Sequence, residues 1–127
     1  MNLRQTIAAT IILLMSFSSA RASDVLAVLK NPNTVYVTDA KTGAFKCSVP
    51  VNHAVAVACD GTTVAVLLSN GSLNRYDGQT GRFLGASQTG PKATAVQVSG
   101  GVVAVTFDHK IQRYDAKSGR FLGANQF

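Results

Sequence analysis

A repeat with a period of 38 residues constrains the fold of this chain more than any other feature. The segment RYDGQTGRFLGA at residues 75–86 returns as RYDAKSGRFLGA at residues 113–124, with nine of twelve positions identical. A weaker copy, VTDAKTGAFKCS, lies 38 residues upstream and keeps Asp39, Gly43 and Phe45. A fixed period of this length indicates one supersecondary unit that is stacked several times.

Each unit reads as short strands joined by turns, because apolar and β-branched residues alternate with a period of two. Asn-Pro-Asn, Asp-Gly and Asn-Gly steps mark turns, since these residues tolerate the backbone angles that tight turns need. The predicted strands are Val25–Lys30, Thr34–Asp39, Ala44–Val49, Ala54–Cys59, Thr63–Ser69, Ser72–Asp77, Arg82–Ser87, Thr94–Ser99, Val102–Phe107, Ile111–Asp115 and Arg120–Gln126.

The step Asp-x-x-Thr/Ser-Gly recurs between the last two predicted strands of every unit. Its members are Asp39 to Gly43, Asp77 to Gly81 and Asp115 to Gly119. An Asp carboxylate can accept hydrogen bonds from N–H groups two or three residues later, and Gly can take a left-handed conformation. We therefore expect these residues to form turns, a structural role that needs no ligand.

Four antiparallel strands in about 40 residues are typical of one β-propeller blade. The sequence predicts an all-β chain of about 11 strands, with repeats at about 24–50, 54–88 and 93–127. The first repeat lacks one strand. Because a propeller ring needs at least four blades, we expect an incomplete ring whose open apolar faces are covered by another molecule.

The repeats resemble those of bacterial NHL-like propellers and, more loosely, YVTN and quinoprotein repeats. RYDGQTGRFLGA and RYDAKSGRFLGA carry the first resemblance, and VYVTDAKTG at residues 35–43 carries the YVTN one. The resemblance implies a propeller fold, which hosts enzymes, lectins and scaffolds alike. The chain has no Trp, unlike typical quinoprotein repeats, so a quinone cofactor is not expected.

The first 22 residues have the pattern of a secretory signal peptide. Arg4 precedes the apolar run IAATIILLMSF, and Ala20-Arg21-Ala22 matches a signal peptidase site. Eleven apolar residues are too few to span about 30 Å of hydrocarbon. We expect cleavage after Ala22, a periplasmic or secreted protein, and no membrane span after cleavage.

The net charge is modest for the expected mature chain. It has ten Lys and Arg against six Asp and no Glu. Such a balance favours solubility and weak attraction to anionic surfaces. We expect no nucleic-acid partner, because a secreted protein would rarely meet one.

Two cysteines, Cys47 and Cys59, would lie in an oxidising compartment, where a disulfide is the default. The blade register opposes it, because the two residues fall on outer and inner strands separated by three strand spacings of about 4.8 Å. A disulfide and two small buried thiols are both left open.

No catalytic or metal-binding pattern is visible among the polar residues. His53 and His109 are the only histidines, and their spacing matches no metal site. We find no nucleophile elbow and no phosphate-binding glycine loop, and we expect neither an enzyme nor a cofactor.

A recurring set of arginines and tyrosines is the candidate binding surface. It comprises Arg75, Tyr76, Arg82, Arg113, Tyr114 and Arg120. Such a set could bind an anionic polymer or a glycan. The competing interpretation is that Arg82 and Arg120 pair with Asp77 and Asp115 across the turns, which contributes about 0–1 kcal/mol each.

The leading hypothesis is a secreted or periplasmic, non-catalytic binding or scaffold module of propeller blades, completed by oligomerisation. Lectin-like glycan or anionic-polymer binding is one alternative. A propeller enzyme with a site shared between chains is another. A fragment of a larger propeller without a settled role is the last.

Overall fold

The protein is all-β over residues 24–127, the range that the structure, a computed structural model, describes. The predicted signal peptide over residues 1–22 lies outside this range. Eleven strands follow one another: β1 Val25–Asn31, β2 Thr34–Asp39, β3 Phe45–Pro50, β4 Ala54–Cys59, β5 Thr63–Leu68, β6 Ser72–Asp77, β7 Phe83–Gln88, β8 Ala95–Ser99, β9 Val102–Thr106, β10 Lys110–Asp115 and β11 Phe121–Gln126. No helix in this range is long and apolar enough to cross a membrane.

The strands form three antiparallel sheets, which we call the first, second and third blades. The first blade has the order β1-β2-β3, the second β4-β5-β6-β7 and the third β8-β9-β10-β11. Each strand pairs with its neighbour in sequence, as hairpin connections require. The predicted propeller-type blades and the strand number are confirmed, and the described blades do not close a ring.

The core consists of two layers of side chains between the blades. The first interface, between the first and second blades, contains Val25, Val35 and Val37 packed against Val64 and Val66. The second interface, between the second and third blades, comprises mainly Ala65, Leu67, Leu73, Val96, Val103 and Val105. Every residue of β5 is buried, because the second blade is covered on both faces.

The recurring Asp-x-x-Thr/Ser-Gly step forms the expected turn in all three blades, and we call it the Asp turn. Asp77 Oδ1 accepts hydrogen bonds from the backbone N–H groups of Gln79 at 2.7 Å and Thr80 at 3.2 Å. Asp39 does the same for two residues of the first blade. These bonds hold the pKa of Asp39 below its usual value. The sequence interpretation of these carboxylates as turn residues is confirmed.

The ladder between the last two strands shifts register at the same position in each blade. Arg75 lies opposite Gly85 and Tyr76 lies opposite Phe83, so one residue of β7 bulges out. The third blade pairs Arg113 with Gly123 in the same way. The first blade places Val37 opposite Cys47 at this position. This cross-strand pair lies beside the neighbouring blade and positions the site described next.

Candidate functional site

The predicted surface of arginines and tyrosines does not form one surface. Arg75, Tyr76 and Tyr114 are only 3%, 7% and 5% exposed, so the expectation that they lie on a binding surface is wrong. They are buried because neighbouring residues of a strand point to opposite faces, and blades cover both faces of β6. The exposed members of the set are Arg82, Arg113 and Arg120.

Arg75 is a buried cation that joins the second blade to the third. Its Nη1 atom donates hydrogen bonds to the carbonyl oxygens of Lys117 at 2.7 Å and Ala116 at 3.3 Å. Both acceptors belong to the Asp turn of the third blade. Beside them, Ser87 Oγ donates to the carbonyl of Gly119 at 3.1 Å. The second interface therefore contains a polar latch at the Asp turn.

The charge of Arg75 is partly balanced at this site. Burial lowers the pKa of its guanidinium, and the nearby Asp115 carboxylate opposes that shift. The Arg75 Nε atom has no hydrogen-bond partner in the described part of the chain. Hydrogen bonds to charged groups are stronger than neutral ones, whereas an unpaired buried donor costs free energy. The latch therefore favours specific docking more than maximal stability.

Two glycines make room for the Arg75 side chain. A Cβ at Gly85, opposite Arg75 in the ladder, would clash with its Nη2 atom, and a Cβ at Gly119 would lie 2.5 Å from the same atom. Gly119 also has a φ of 77°, in the left-handed region, which other residues adopt only with strain. The latch thus requires a small residue on each side.

The first interface fills the equivalent position with apolar atoms. Val37 takes the place of Arg75 and is fully buried. Cys47 takes the place of Gly85, and its Sγ lies 3.3 Å from where a Cβ of Gly81 would be. Val49 contacts the same glycine position at 3.6 Å. Sulfur and methyl groups therefore replace the guanidinium against the Asp turn of the second blade.

Cys47 and Cys59 are both free thiols in the structure. The Cys59 thiol donates to the carbonyl of Val25 at 3.2 Å, across the first interface. Burial raises the pKa of Cys59. It also raises the pKa of Cys47, and the Asp77 charge adds to that shift. Of the two arrangements left open by the sequence, the structure has two thiols that pack between blades.

Two blade faces have no neighbour among residues 24–127. The open first-blade face comprises Leu26, Val28, Tyr36, Thr38 and the Asp turn at residues 39–43. The open third-blade face comprises Ala104, Ile111, Arg113, Gly123 and Asn125. Leu26 and Val28 are 48% and 58% exposed, although their equivalents Val64 and Val66 are fully buried. Contiguous apolar exposure of this kind marks an interaction surface.

Each blade also carries an exposed phenylalanine at the start of its last strand. Phe45, Phe83 and Phe121 are 53–63% exposed. Each ring packs edge-to-face on a tyrosine of its own blade, at centroid distances of 5.5–5.7 Å. Our expectation that the phenylalanines of the repeat pack between blades is therefore wrong. The bulge turns these rings toward the outer edge of the blade.

The histidines lie apart in exposed turns. His53 has a φ of 55° and precedes β4, and His109 lies in the turn before β10. Within residues 24–127, no group of three or more His, Cys, Asp or Glu is arranged to hold a metal ion.

Sequence reasoning missed the Arg75 latch, although a signal for it exists. Arg and Gly occur together at 75 and 85 and again at 113 and 123, whereas the first unit has Val and Cys at both equivalent positions. Paired changes of this kind identify residues in contact. The partner turn could not be found this way, because it belongs to the next blade.

Comparison with solved structures identifies the fold. The chain superimposes on apo AztD from Citrobacter koseri with a TM-score of 0.68 and 18% identity, over 84% of this chain and 33% of that one. BamB from Moraxella catarrhalis gives 0.68 and 19%, over 85% and 34%. Sqt1 from Saccharomyces cerevisiae gives 0.66 and 16%, over 81% and 30%.

These structures are β-propellers, and at such identities the likeness shows the fold alone. The chain spans about a third of the length of each of them. No family model matches the chain, and no curated protein matches its sequence.

Proposed function

We propose that this protein is a secreted or periplasmic, non-catalytic binding or scaffold module of NHL-like or YVTN-like propeller blades, completed by oligomerisation. The observation that carries the proposal is the pair of open blade faces, where Leu26 and Val28 are about half exposed. Covering each such side chain stabilises an assembly by roughly 1.5–3 kcal/mol. The expected signal peptide at residues 1–22 supports export.

The use of the carboxylates supports a non-catalytic role. Asp39, Asp60, Asp77 and Asp115 each accept backbone hydrogen bonds in turns. A general acid or base needs a carboxyl group with access to a substrate and a pKa near the working pH. The pKa values of Asp39 and Asp115 are instead shifted downward by their turn hydrogen bonds.

The test of this function combines processing with activity. The full chain would be expressed in a bacterial host with its own N-terminal segment, and the cell fractions analysed by mass spectrometry. We expect an exported protein that begins at Ser23 and shows no turnover with panels of hydrolase and dehydrogenase substrates. Retention in the cytoplasm with an intact N-terminus would overturn the location, and turnover would overturn the non-catalytic role.

A second candidate function is glycan or anionic-polymer binding on the outer edge. The row of exposed rings at Phe45, Phe83 and Phe121 favours it, because aromatic rings supply apolar contact area at low entropic cost. Arg82 and Arg120 precede two of these rings and are exposed. A glycan array would test it: binding should be lost in Phe83→Ser with Phe121→Ser and kept in Val55→Ser, an exposed residue outside the row.

A further inference from the structure

We infer that the two open faces bind each other head to tail, so that a second copy of this chain seats its open first-blade face on the open third-blade face of the first. The inference rests on the oligomeric module proposed above and names its partner and contact. Arg113 of one copy would form the latch with the Asp turn at residues 39–43 of the other.

The donor half of this contact already exists in an observed form. Arg113 lies opposite Gly123, as Arg75 lies opposite Gly85. A Cβ at Gly123 would lie 2.7 Å from Arg113 Nη2, so this arginine also extends across its glycine. Arg75 is buried against the next blade, whereas Arg113 is exposed. The third blade therefore presents a preformed latch with no turn to bind among the described residues.

The acceptor half is specified by the turn sequence. The turn that receives Arg75 reads DAKSG, with Ala116 and Lys117 providing the carbonyls. The open turn of the first blade reads DAKTG and places Ala40 and Lys41 at these positions. The turn that receives Val37 and Cys47 reads DGQTG instead. The open turn thus matches the arginine-receiving type and not the aliphatic one.

Space and charge at the open turn agree with this assignment. Gly43 has a φ of 76°, like the 77° of Gly119, and a Cβ added to it would meet nothing within 4 Å. Arg75 fills that space at Gly119. Asp39 would lie beside Arg113 as Asp115 lies beside Arg75, whose charge contributes to the lowered pKa of Asp115. The open turn therefore offers the guanidinium both a site and a counter-charge.

The apolar surroundings are complementary too. Ile111 is equivalent to Leu73, which is fully buried in the second interface. On the other side, Leu26 and Val28 are equivalent to Val64 and Val66. Head-to-tail contacts close into a ring when the rotation allows. Two copies of the three described blades give six, within the usual range of propellers, whereas three copies would exceed it. We therefore expect a closed dimer with two identical interfaces.

The test is the native mass of the full, processed chain measured by analytical ultracentrifugation over a range of concentrations. We expect a dimer for the wild type. Arg113→Met removes the latch from both interfaces, and a hydrogen bond to a charged group is worth more than a tenfold change in an equilibrium constant, so the dissociation constant should rise at least about tenfold. Arg82→Met, which removes an exposed arginine outside both open faces, is the matched control and should not change it.

A glycine pair tests the acceptor side. Gly43→Ala should weaken the dimer by about as much as Arg113→Met, because its Cβ would meet the guanidinium. Gly100→Ala carries a similar left-handed strain, since Gly100 has a φ of 59° and no neighbour within 4 Å, and it should leave the dimer intact. Circular dichroism of each variant would confirm that it is folded.

Three results would overturn the inference: a monomer at all concentrations, a dimer that ignores both Arg113→Met and Gly43→Ala, or a dimer weakened by Arg113→Met but not by Gly43→Ala. The last result would mean that two third-blade faces pair with each other. A monomer without turnover would leave the proposed module standing, with a different partner on its faces. A head-to-tail dimer with turnover would leave the pairing standing and overturn the non-catalytic role.

Discussion

The first and second interfaces solve the same packing problem with different chemistry. Both seat the third and fourth strands of one blade against the Asp turn of the next. The first does so with Val37 and Cys47, and the second with Arg75 over Gly85. The residues change as a pair, because a long cation needs a glycine opposite it and a short valine leaves room for a thiol. Each blade therefore encodes which kind of neighbour it accepts.

The comparison predicts its largest effect for an arginine placed in the aliphatic interface. Val37→Arg should lower the free energy of unfolding by about 3–5 kcal/mol, because it buries a charge without a prepared acceptor. The side chain would also meet Cys47, which occupies the space that Gly85 leaves open. Urea unfolding of the variant and the wild type measures this difference.

A second substitution sharpens the same test. Adding Cys47→Gly to Val37→Arg should recover at least about 1 kcal/mol, since contacting residues are coupled. The reverse order provides the control, because Cys47→Gly alone should be destabilising. A Val37→Arg protein as stable as the wild type would show that the two interfaces do not differ in what they accept.

Removal of the polar latch should have an intermediate effect. Arg75→Met deletes the bonds to the Lys117 and Ala116 carbonyls while keeping an unbranched apolar stem, and it should cost about 2 kcal/mol. Arg82→Met, at an exposed position, should stay within about 0.5 kcal/mol of the wild type. Equal losses in the two variants would contradict the role assigned to Arg75.

The two matched glycines should separate backbone strain from the latch. In an Arg113→Met background, which removes the proposed contact between copies, Gly43→Ala should cost about 1–2 kcal/mol from the left-handed backbone alone. Gly119→Ala should cost about 1 kcal/mol more, because its Cβ also displaces Arg75. Chemical denaturation of both variants gives the difference, and a zero difference would mean that the guanidinium relocates without loss.

Acid should loosen the Asp turns by a smaller amount. Hydrogen bonds from Ser118 hold the pKa of Asp115 below its usual value, with Arg120 and Arg75 adding to the shift. A depressed native pKa contributes stability above the unfolded pKa and loses it as the pH falls through the native value. The free energy of unfolding should therefore fall below about pH 4.

Asp115→Asn should flatten that fall, and thermal unfolding between neutral pH and pH 3 measures it. Asp108, whose pKa shows no downward shift to lose, provides the control through Asp108→Asn. An identical acid dependence in all three proteins would remove Asp115 from the explanation.

The strands and turns could be predicted from the sequence because their causes are local. Alternating β-branched residues define Thr34–Asp39 and Ser72–Asp77 at the residues where the structure has them. The Asp77 and Gly81 turn follows from hydrogen bonds within three residues. Repetition then extended a local reading to the whole blade, and the period led to the propeller fold.

The fate of the arginines could not be predicted in the same way. Arg75 and Arg113 have almost identical neighbours in sequence, yet one is buried and the other exposed. The difference depends on whether another blade follows, which is a contact more than 40 residues away. Similarly, the outward turn of Phe83 and Phe121 results from a one-residue bulge that alternation alone does not reveal.

The most direct test of the account is a disulfide between two different variants. Ser87 Oγ lies 3.1 Å from where a Cβ of Gly119 would be, close to the separation of about 3 Å between a sulfur and its partner's Cβ in a disulfide. Asn125 and Gly43 are the equivalent pair across the proposed contact. Asn125→Cys protein would be mixed with Gly43→Cys protein, oxidised, and resolved on a non-reducing gel.

We expect a covalent dimer in the mixture and none in either variant alone. A mixture that yields no more covalent dimer than the separate variants would contradict head-to-tail pairing of the open faces.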